Sequence, residues 1–458
     1  MDDRFLPHNS HLEAAEQFQT LDPHLRRLGK LRYVHRSSLL DRIPRCPGIY
    51  TVTGGRQTGK TTLAKQWMAE LLQSGVPPES IRYITGDIID DYHSLIRIVN
   101  SIQGQPTPHG LSYLVMDEIS YVHGWERGVK YLADAGSLDS TVVLMTGSDS
   151  VVIREAVMAL PGRRGSQAVT DFQFHPLSFQ ETTILKGAVS AGERDMLAHS
   201  DEPPAGELVS RLFDLFHEYL QHGGFLTAIN DRFQNGAISP ATLAIYSDWI
   251  RGDVLKRMKQ ERYLLEVVQS LVKRCNTQVT WNSLAKEMSI DHPATVASYV
   301  GLLESMGVVV VQPALLEHRL SAAPKKARRI LFADPFIHHA SAAWVAGRGI
   351  YSVEDAVDPA LGTQGLVPKL VEAVAVNHYA RKYPVFYIKG DVGEVDIAYV
   401  NEGRFYPVEV KWTSQIHPAE LKQLSKYPNS RLLTRAKEPR NVGAIPTEPL
   451  PLAIFRLG

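Results

Sequence analysis

From residue 48 to about 179, short runs of β-branched and aromatic residues alternate with longer stretches of helical period, the pattern of a parallel sheet covered by helices. It predicts strands at 49–53, 81–85, 113–116, 142–146 and 168–174. The pattern then turns helical, with expected helices at 207–220 and 241–259 broken by Gly223-Gly224 and Asn235-Gly236, which reads as a helical lid. From about 263 to 333 the order is three helices and then two strands, the order of a winged helix. Asp291 is placed to cap its third helix and Gly307 to end it. A final block predicts a helix over 366–381, strands near 385–388, 395–400 and 405–410, a helix over 418–427 and a strand at 431–434.

A length of 458 residues is too great for one hydrophobic core and predicts two to four domains. Lys plus Arg equal Asp plus Glu at 49 each, so whole-chain charge makes no case for a polyanionic partner, though a local basic face stays open. The two cysteines, Cys46 and Cys275, lack paired metal or disulfide spacing and read as buried, inert thiols in a reducing compartment. Residues 1–30 are polar and His-rich, and no run approaches the roughly 20 apolar residues of a membrane span. These features predict a polar N-terminal extension on a soluble cytoplasmic protein with no membrane partner.

Gly54-Gly55-Arg56-Gln57-Thr58-Gly59-Lys60-Thr61 follows an apolar strand and leads through Thr62 into a helical run, the context of a phosphate-binding loop. Backbone amides of such a loop wrap phosphates, Lys60 supplies charge near the β- and γ-phosphates, and Thr61 offers a hydroxyl to Mg²⁺. ATP and Mg²⁺ are therefore the expected ligands. The apolar strand 113–116 ends in Asp117-Glu118, with Asp117 expected on the metal and Glu118 as general base for water. Thr146 and Ser148 are candidate γ-phosphate sensors, with turn formation as the competing reading. Arg163 and Arg164 are candidates for an arginine finger in cis or across a homo-oligomer, with an exposed basic loop as the alternative.

The block around 393–411 reads as a β-hairpin bearing Asp396 on one strand and Glu409 and Lys411, two apart and on one face, on the next. Asp396 and Glu409 together suit a divalent metal, and Lys411 suits positioning a water and stabilising phosphate charge. Glu372 lies on a helix whose apolar stripe includes Val367, Leu370, Val371 and Val374. Taken singly, each of these residues is better explained as part of a solvated strand or helix face. His417 and Gln423 read as surface residues.

The loop 54–61, the Asp117-Glu118 strand, Pro176-Leu177-Ser178-Phe179-x-Glu181 and Tyr219-x-x-x-Gly223-Gly224-Phe225 together resemble a bacterial and archaeal family of AAA-type ATPases. That family carries a winged-helix region and a C-terminal restriction-endonuclease-like, PD-(D/E)XK domain of unassigned function. Leu226 stands where the family usually has proline, so the double-glycine turn is given no functional weight. The resemblance implies an α/β fold with a P-loop ATPase core over 31–180 behind an extension at 1–30, a helical lid over 181–262, a winged helix over 263–345 and a nuclease-like domain over 346–458. In the winged helix, His292, Thr295 and Ser298 would open the recognition helix, and Lys325, Lys326, Arg328 and Arg329 would lie on a wing suited to duplex phosphates. A module that only bridges its neighbours is the competing reading. In the last domain Glu372, Asp396, Glu409 and Lys411 would run phosphodiester hydrolysis on DNA. The expected function is ATP hydrolysis coupled to that nuclease. The alternatives are a nucleotide-gated switch that binds a partner or nucleic acid without cutting, and an ATPase that remodels protein.

Overall fold

A computed structural model describes residues 3–458 apart from 105–109, 149–152, 154–157, 159, 200–203, 258, 348, 359–364 and 414. It divides into two compact units, Met1–His175 and Pro176–Gly458.

In the first unit, β1 (Gly48–Thr53), β2 (Ile81–Thr85), β3 (Ser112–Asp117), β4 (Thr141–Gly147) and β5 (Asp171–Gln173) form one parallel sheet in the order β2-β3-β4-β1-β5. β2, β3 and β4 are buried throughout, which is why they read as continuous apolar runs and not as alternation. Leu63, Trp67 and Leu71 of helix Lys60–Gln73 cover one face with Tyr50, Val52 and Val115. Leu95, Val99, Val129 and Leu132, from helices Tyr92–Gln103 and Trp125–Asp134, cover the other with Ile49, Leu114 and Val143. The fifth strand is shorter than expected, because only Asp171, Phe172 and Gln173 pair with β1.

The N-terminal segment departs from expectation. Phe5, Asn9, His11, Phe18 and Asp22 are buried. The Asn9 amide accepts from the Tyr83 N–H and donates to the Tyr83 carbonyl, both at 2.8 Å, and His11 Nε2 lies 3.0 Å from the Ile81 carbonyl. Its polar residues thus serve as partners for the open edge of β2, a role that composition does not reveal.

The second unit opens with helices Phe179–Leu185, Ala191–His199, Gly206–His222, Leu226–Asn235, Pro240–Lys256 and Glu261–Lys273. Ser178 starts the first through a capping box with Glu181. Helix Pro240–Lys256 stops short of the expected 259, and residue 258 lies outside the described set. Next come β6 (Gln278–Val279), helices Trp281–Ala285 and Pro293–Ser305, β7 (Val309–Pro313), β8 (Leu315–Leu316), β9 (Ser321–Ala322) and β10 (Arg328–Phe332). β6, β10 and β7 pair antiparallel in that order. Asp291 is not the cap of the third helix: Pro293 occupies its first turn, so the cap position falls on His292, whose side chain makes no capping bond. Gly307, at φ 75°, does end it.

Helix Leu366–Ala380 then packs on a six-stranded sheet of β11 (Val385–Lys389), β12 (Glu394–Asn401), β13 (Arg404–Lys411), β14 (Arg431–Thr434), β16 (Ile445–Pro449) and β15 (Asn441–Val442), in that spatial order. β11 to β13 are antiparallel, whereas β13, β14 and β16 are parallel. Leu370 and Val374 meet Ile397, Val408, Leu433 and Phe455 in the core. The helix expected over 418–427 is two 3₁₀ turns, Pro418–Leu421 and Leu424–Lys426. Leu421 and Leu424, one from each turn, are both buried. Cys275 is buried, and burial pushes its thiol up to about 12. Cys46 is only half-buried, 3.3 Å from the Tyr50 hydroxyl, so it is not the buried thiol expected. Among the described residues no helix is long and apolar enough to cross a membrane.

Candidate functional site

β1 delivers the chain into the glycine-rich loop, where Gly54 has no room for a side chain and Gly59 has a backbone conformation that disfavours one. A Cβ on Gly54 would sit 2.1 Å from the Phe174 carbonyl oxygen, and Gly59 holds φ 101° as it starts helix Lys60–Gln73. Gln57 also takes positive φ, at 59°. Thr58 Oγ1 donates to the Gly55 carbonyl at 2.8 Å, and the Arg56 guanidinium lies over the Tyr121 ring. Thr62, half-buried, follows in the first helical turn.

Lys60 is buried and donates to the Gly54 and Gly55 carbonyls at 2.9 and 3.0 Å. Its ammonium stands 3.7 Å from Glu118 Oε1. Burial lowers the Lys60 pKa and raises that of Glu118, the same cause acting on opposite charges. Because β4 lies between β1 and β3, the ends of three strands converge beside the loop. Asp117 Oδ2 accepts from Thr61 Oγ1 at 2.7 Å and from the Tyr83 hydroxyl at 2.6 Å, and Asp117 Oδ1 accepts from Thr146. The Glu118 N–H donates to Thr146 Oγ1 at 3.0 Å, and Ser148 Oγ donates to Glu118 Oε2 at 3.3 Å.

Lys60, Thr61, Asp117, Glu118, Thr146 and Ser148 are thus brought together. Arg163 is instead ion-paired with Asp134, and Arg164 with Asp171 at 2.6 Å. Tyr83 was missed by sequence reasoning: a tyrosine inside an apolar strand reads as core, and only the β2–β3 register, Tyr83 opposite Val115, brings its hydroxyl near Asp117.

In the second unit the β12–β13 ladder, with Ile397 opposite Val408, sets Asp396 beside Glu409. The Asp396 N–H donates to Glu409 Oε2 at 3.3 Å, and the Val410 N–H donates to Asp396 Oδ2 at 3.0 Å. Lys411 Nζ lies 2.9 Å from Glu409 Oε1, on the same strand face. Helix Leu366–Ala380 brings Glu372 to the group. Burial, then the Asp396 charge, pushes Glu372 and Glu409 up to about 8. For Lys411, burial opposes the charged form but Glu409 outweighs it and raises the pKa.

Arg329 completes this cluster and corrects the expectation of a wing residue. Its Nη1 lies 2.6 Å from Glu372 Oε1 and 3.2 Å from Asp396 Oδ1, and its Nε donates to the Asn276 carbonyl at 3.1 Å. Successive strand residues face opposite ways, so Arg328 covers the Trp281 ring at 4.4 Å while Arg329 turns inward and is buried. Lys325 and Lys326 are exposed. Gln423, expected at the surface, is buried, its amide donating to the Tyr427 hydroxyl at 3.1 Å; His417 is exposed. Among the described residues, no three His, Cys, Asp or Glu side chains are grouped so as to hold a metal ion.

Residues 47–183 match the family model described as an AAA domain, and residues 213–346 match one described as a domain of unknown function, DUF8612. An uncharacterized protein of Haemophilus influenzae is 25% identical over 275 residues, 56% of this chain and 60% of its own length. The match therefore spans about three fifths of that relative's length. Among solved structures, the Walker-type ATPase of Pyrococcus abyssi is 12% identical with a TM-score of 0.43, covering 71% of this chain and 95% of its own. The ORC1 protein of Aeropyrum pernix in complex with DNA is 13% identical with a TM-score of 0.32, covering 73% and 92%. Likenesses this distant carry no argument about substrate or partner. The AAA match over the phosphate loop, the parallel five-stranded sheet and the Asp117-bearing strand agree: residues 47–183 are a P-loop ATPase domain of AAA type.

Proposed function

We propose that this chain hydrolyses ATP with Mg²⁺ in its first unit and uses nucleotide state to control a metal-dependent, restriction-endonuclease-like site in its second, acting on DNA. The observation that carries the nuclease reading is the convergence of Glu372, Asp396, Glu409 and Lys411 from a helix and two adjacent strands.

In the ATPase, the amides from Gly54 to Thr61, with Arg56, Gln57, Thr58, Gly59 and Thr62 shaping the loop, cradle the phosphates, and Lys60 swings from its carbonyls to the β/γ-oxygens. Thr61 and Asp117 would hold Mg²⁺, which would supply charge neutralisation to the phosphates. Glu118, its pKa raised by burial, accepts the proton of the water that attacks the γ-phosphorus, as the bond to the bridging β–γ oxygen breaks. Thr146 orients Asp117, and Ser148 orients Glu118.

In the second unit, buried carboxylate oxygens are the donor chemistry a hard divalent cation takes, so Asp396 and Glu409 fit as its holders. Such an ion would supply Lewis acidity there. Lys411 directs water and stabilises charge on the phosphate, while Glu372 places a buried carboxyl beside Asp396. The elements over 278–332 follow winged-helix order, and Lys325 and Lys326 suit duplex phosphates.

One observation favours a second reading, a nucleotide-gated switch that does not cut: Arg329 already neutralises Glu372 and Asp396. Cleavage of supercoiled, linear and branched DNA with Mg²⁺ or Mn²⁺, with and without ATP, separates the two. Strand breaks lost in Lys411→Ala and altered in Lys60→Ala establish the coupled nuclease. ATP hydrolysis without breaks on any DNA removes it in favour of the switch.

A further inference from the structure

The carboxylate cluster holds a cation that the hairpin does not supply. Arg329 belongs to β10, in the sheet with β6 and β7, and reaches from there into a site built by helix Leu366–Ala380 and β12–β13. Its neighbours fix it there. The Asn276 carbonyl accepts from Nε, Asn276 itself takes positive φ and bonds the Lys369 carbonyl at 2.5 Å, and the guanidinium lies over the Tyr387 ring. Gln312 of β7 donates to the Phe386 and Asp396 carbonyls at 3.1 and 2.8 Å, which ties the same small sheet to β11 and β12.

Buried carboxylates demand a counter-charge, and a guanidinium meets that demand permanently because it does not deprotonate in proteins. A guanidinium touching both Glu372 and Asp396 stands where an ion shared by these carboxylates would stand, and two cations in that space repel.

We propose that Arg329 is a built-in stopper: by occupying Asp396 Oδ1 together with Glu372 it takes the cation position at Asp396 and keeps a divalent metal out until β10 draws it back. The idea rests on the nuclease reading of this cluster. The exposed turn bearing Lys325 and Lys326 leads directly into β10, so duplex phosphate bound at that turn acts on the strand that carries the stopper.

The test is Mn²⁺ binding to the full chain, without nucleotide, followed by electron paramagnetic resonance and calorimetry, with Asp117→Asn in every protein to silence the first unit. Arg329→Gln is expected to bind Mn²⁺ at least tenfold more tightly than the parent. Asp396→Asn is expected to abolish the gain, and Mn²⁺ to raise the melting temperature of Arg329→Gln but not of the parent. Should Arg329→Gln not fold, Arg329→Lys serves. A single ammonium cannot bond the Asn276 carbonyl and both carboxylates with the guanidinium's fork, so a smaller tightening of about threefold is expected, and none overturns the idea. Binding by the parent as tight as by Arg329→Gln, and lost with Asp396→Asn, refutes the stopper and leaves the nuclease reading standing. Binding by none of them refutes both, leaving Arg329 as the counter-ion of a structural network.

Discussion

The Tyr83 hydroxyl donates to Asp117 Oδ2 at 2.6 Å, on the same carboxylate oxygen that accepts from Thr61. Tyr83 is in turn held from the N-terminal segment: Asn9 bonds both its backbone groups, and the Lys65 ammonium lies 3.7 Å from its ring centroid while pairing with buried Asp22 at 3.0 Å. Tyr83→Phe keeps the packing and removes one hydrogen bond to a charged group, worth roughly 1.5–3 kcal/mol. The expected outcome is about a tenfold rise in the Mg²⁺ concentration for half-maximal ATP hydrolysis, with metal-free nucleotide affinity unchanged. An unchanged Mg²⁺ dependence would separate Tyr83 from the metal site.

Lys65 and Asp22 are both fully buried. Removing one partner of such a pair strands the other charge at a penalty of about 3–5 kcal/mol, whereas removing both relieves it. Lys65→Met and Asp22→Asn should each lower stability in urea, and the double variant should lose less than the two single losses added together. Strict additivity would mean that the two charges do not depend on each other.

Local chemistry was legible and long-range chemistry was not. The loop 54–61 declares itself through glycines at fixed positions between a strand and a helix, and Gly54 against Phe174 has no room for a side chain. Asp396, Glu409 and Lys411 follow from strand period and one hairpin, so their meeting could be foreseen. Tyr83 reaches Asp117 through sheet order, and Arg329 reaches Glu372 across 43 residues of sequence through the packing of one small sheet on another; neither leaves a periodic trace. In each case an expected core or wing residue turned out to touch a carboxylate.

His11 is buried against β2, and burial lowers its pKa to about 4. Below the unfolded value of about 6.5 the unfolded chain binds the proton and the folded one resists it, so stability is full above that pH and falls as pH drops toward 4. At pH 5 the loss is about 2 kcal/mol, from 1.36 kcal/mol per pH unit. Lys65 and Arg82 oppose the charged imidazole and Asp22 favours it, while His8 and His24, also lowered by burial, act in the same direction. Hydrogen exchange over residues 3–28 should therefore speed up between pH 7 and pH 5, after correction for intrinsic rates, and less so in His11→Asn. Equal corrected protection at both pH values would exclude the histidines as the cause.

Gly224 sits where the second unit closes on itself. Its N–H donates to Asp334 Oδ2 at 2.9 Å, and its carbonyl accepts from the Leu177 N–H at 2.9 Å. Asp334 also caps helix Pro335–Ala346 through the Phe336 N–H, and burial pushes its carboxyl up to about 6. A Cβ on Gly224 would lie 2.1 Å from the Leu177 oxygen and 2.5 Å from its nitrogen, both backbone atoms with little freedom to move. Gly236 provides the contrast: it ends helix Leu226–Asn235 at φ 76°, with nothing within 4 Å of an added Cβ. Gly236→Ala should cost about 1 kcal/mol from backbone strain alone, and Gly224→Ala about 3 kcal/mol or more, because three segments must part to admit one methyl group. Urea midpoints read by circular dichroism decide it. Equal losses at the two positions would mean that the double-glycine turn is only a flexible link, and the larger loss at Gly224 would make it a packing junction that its sequence advertises only as a turn.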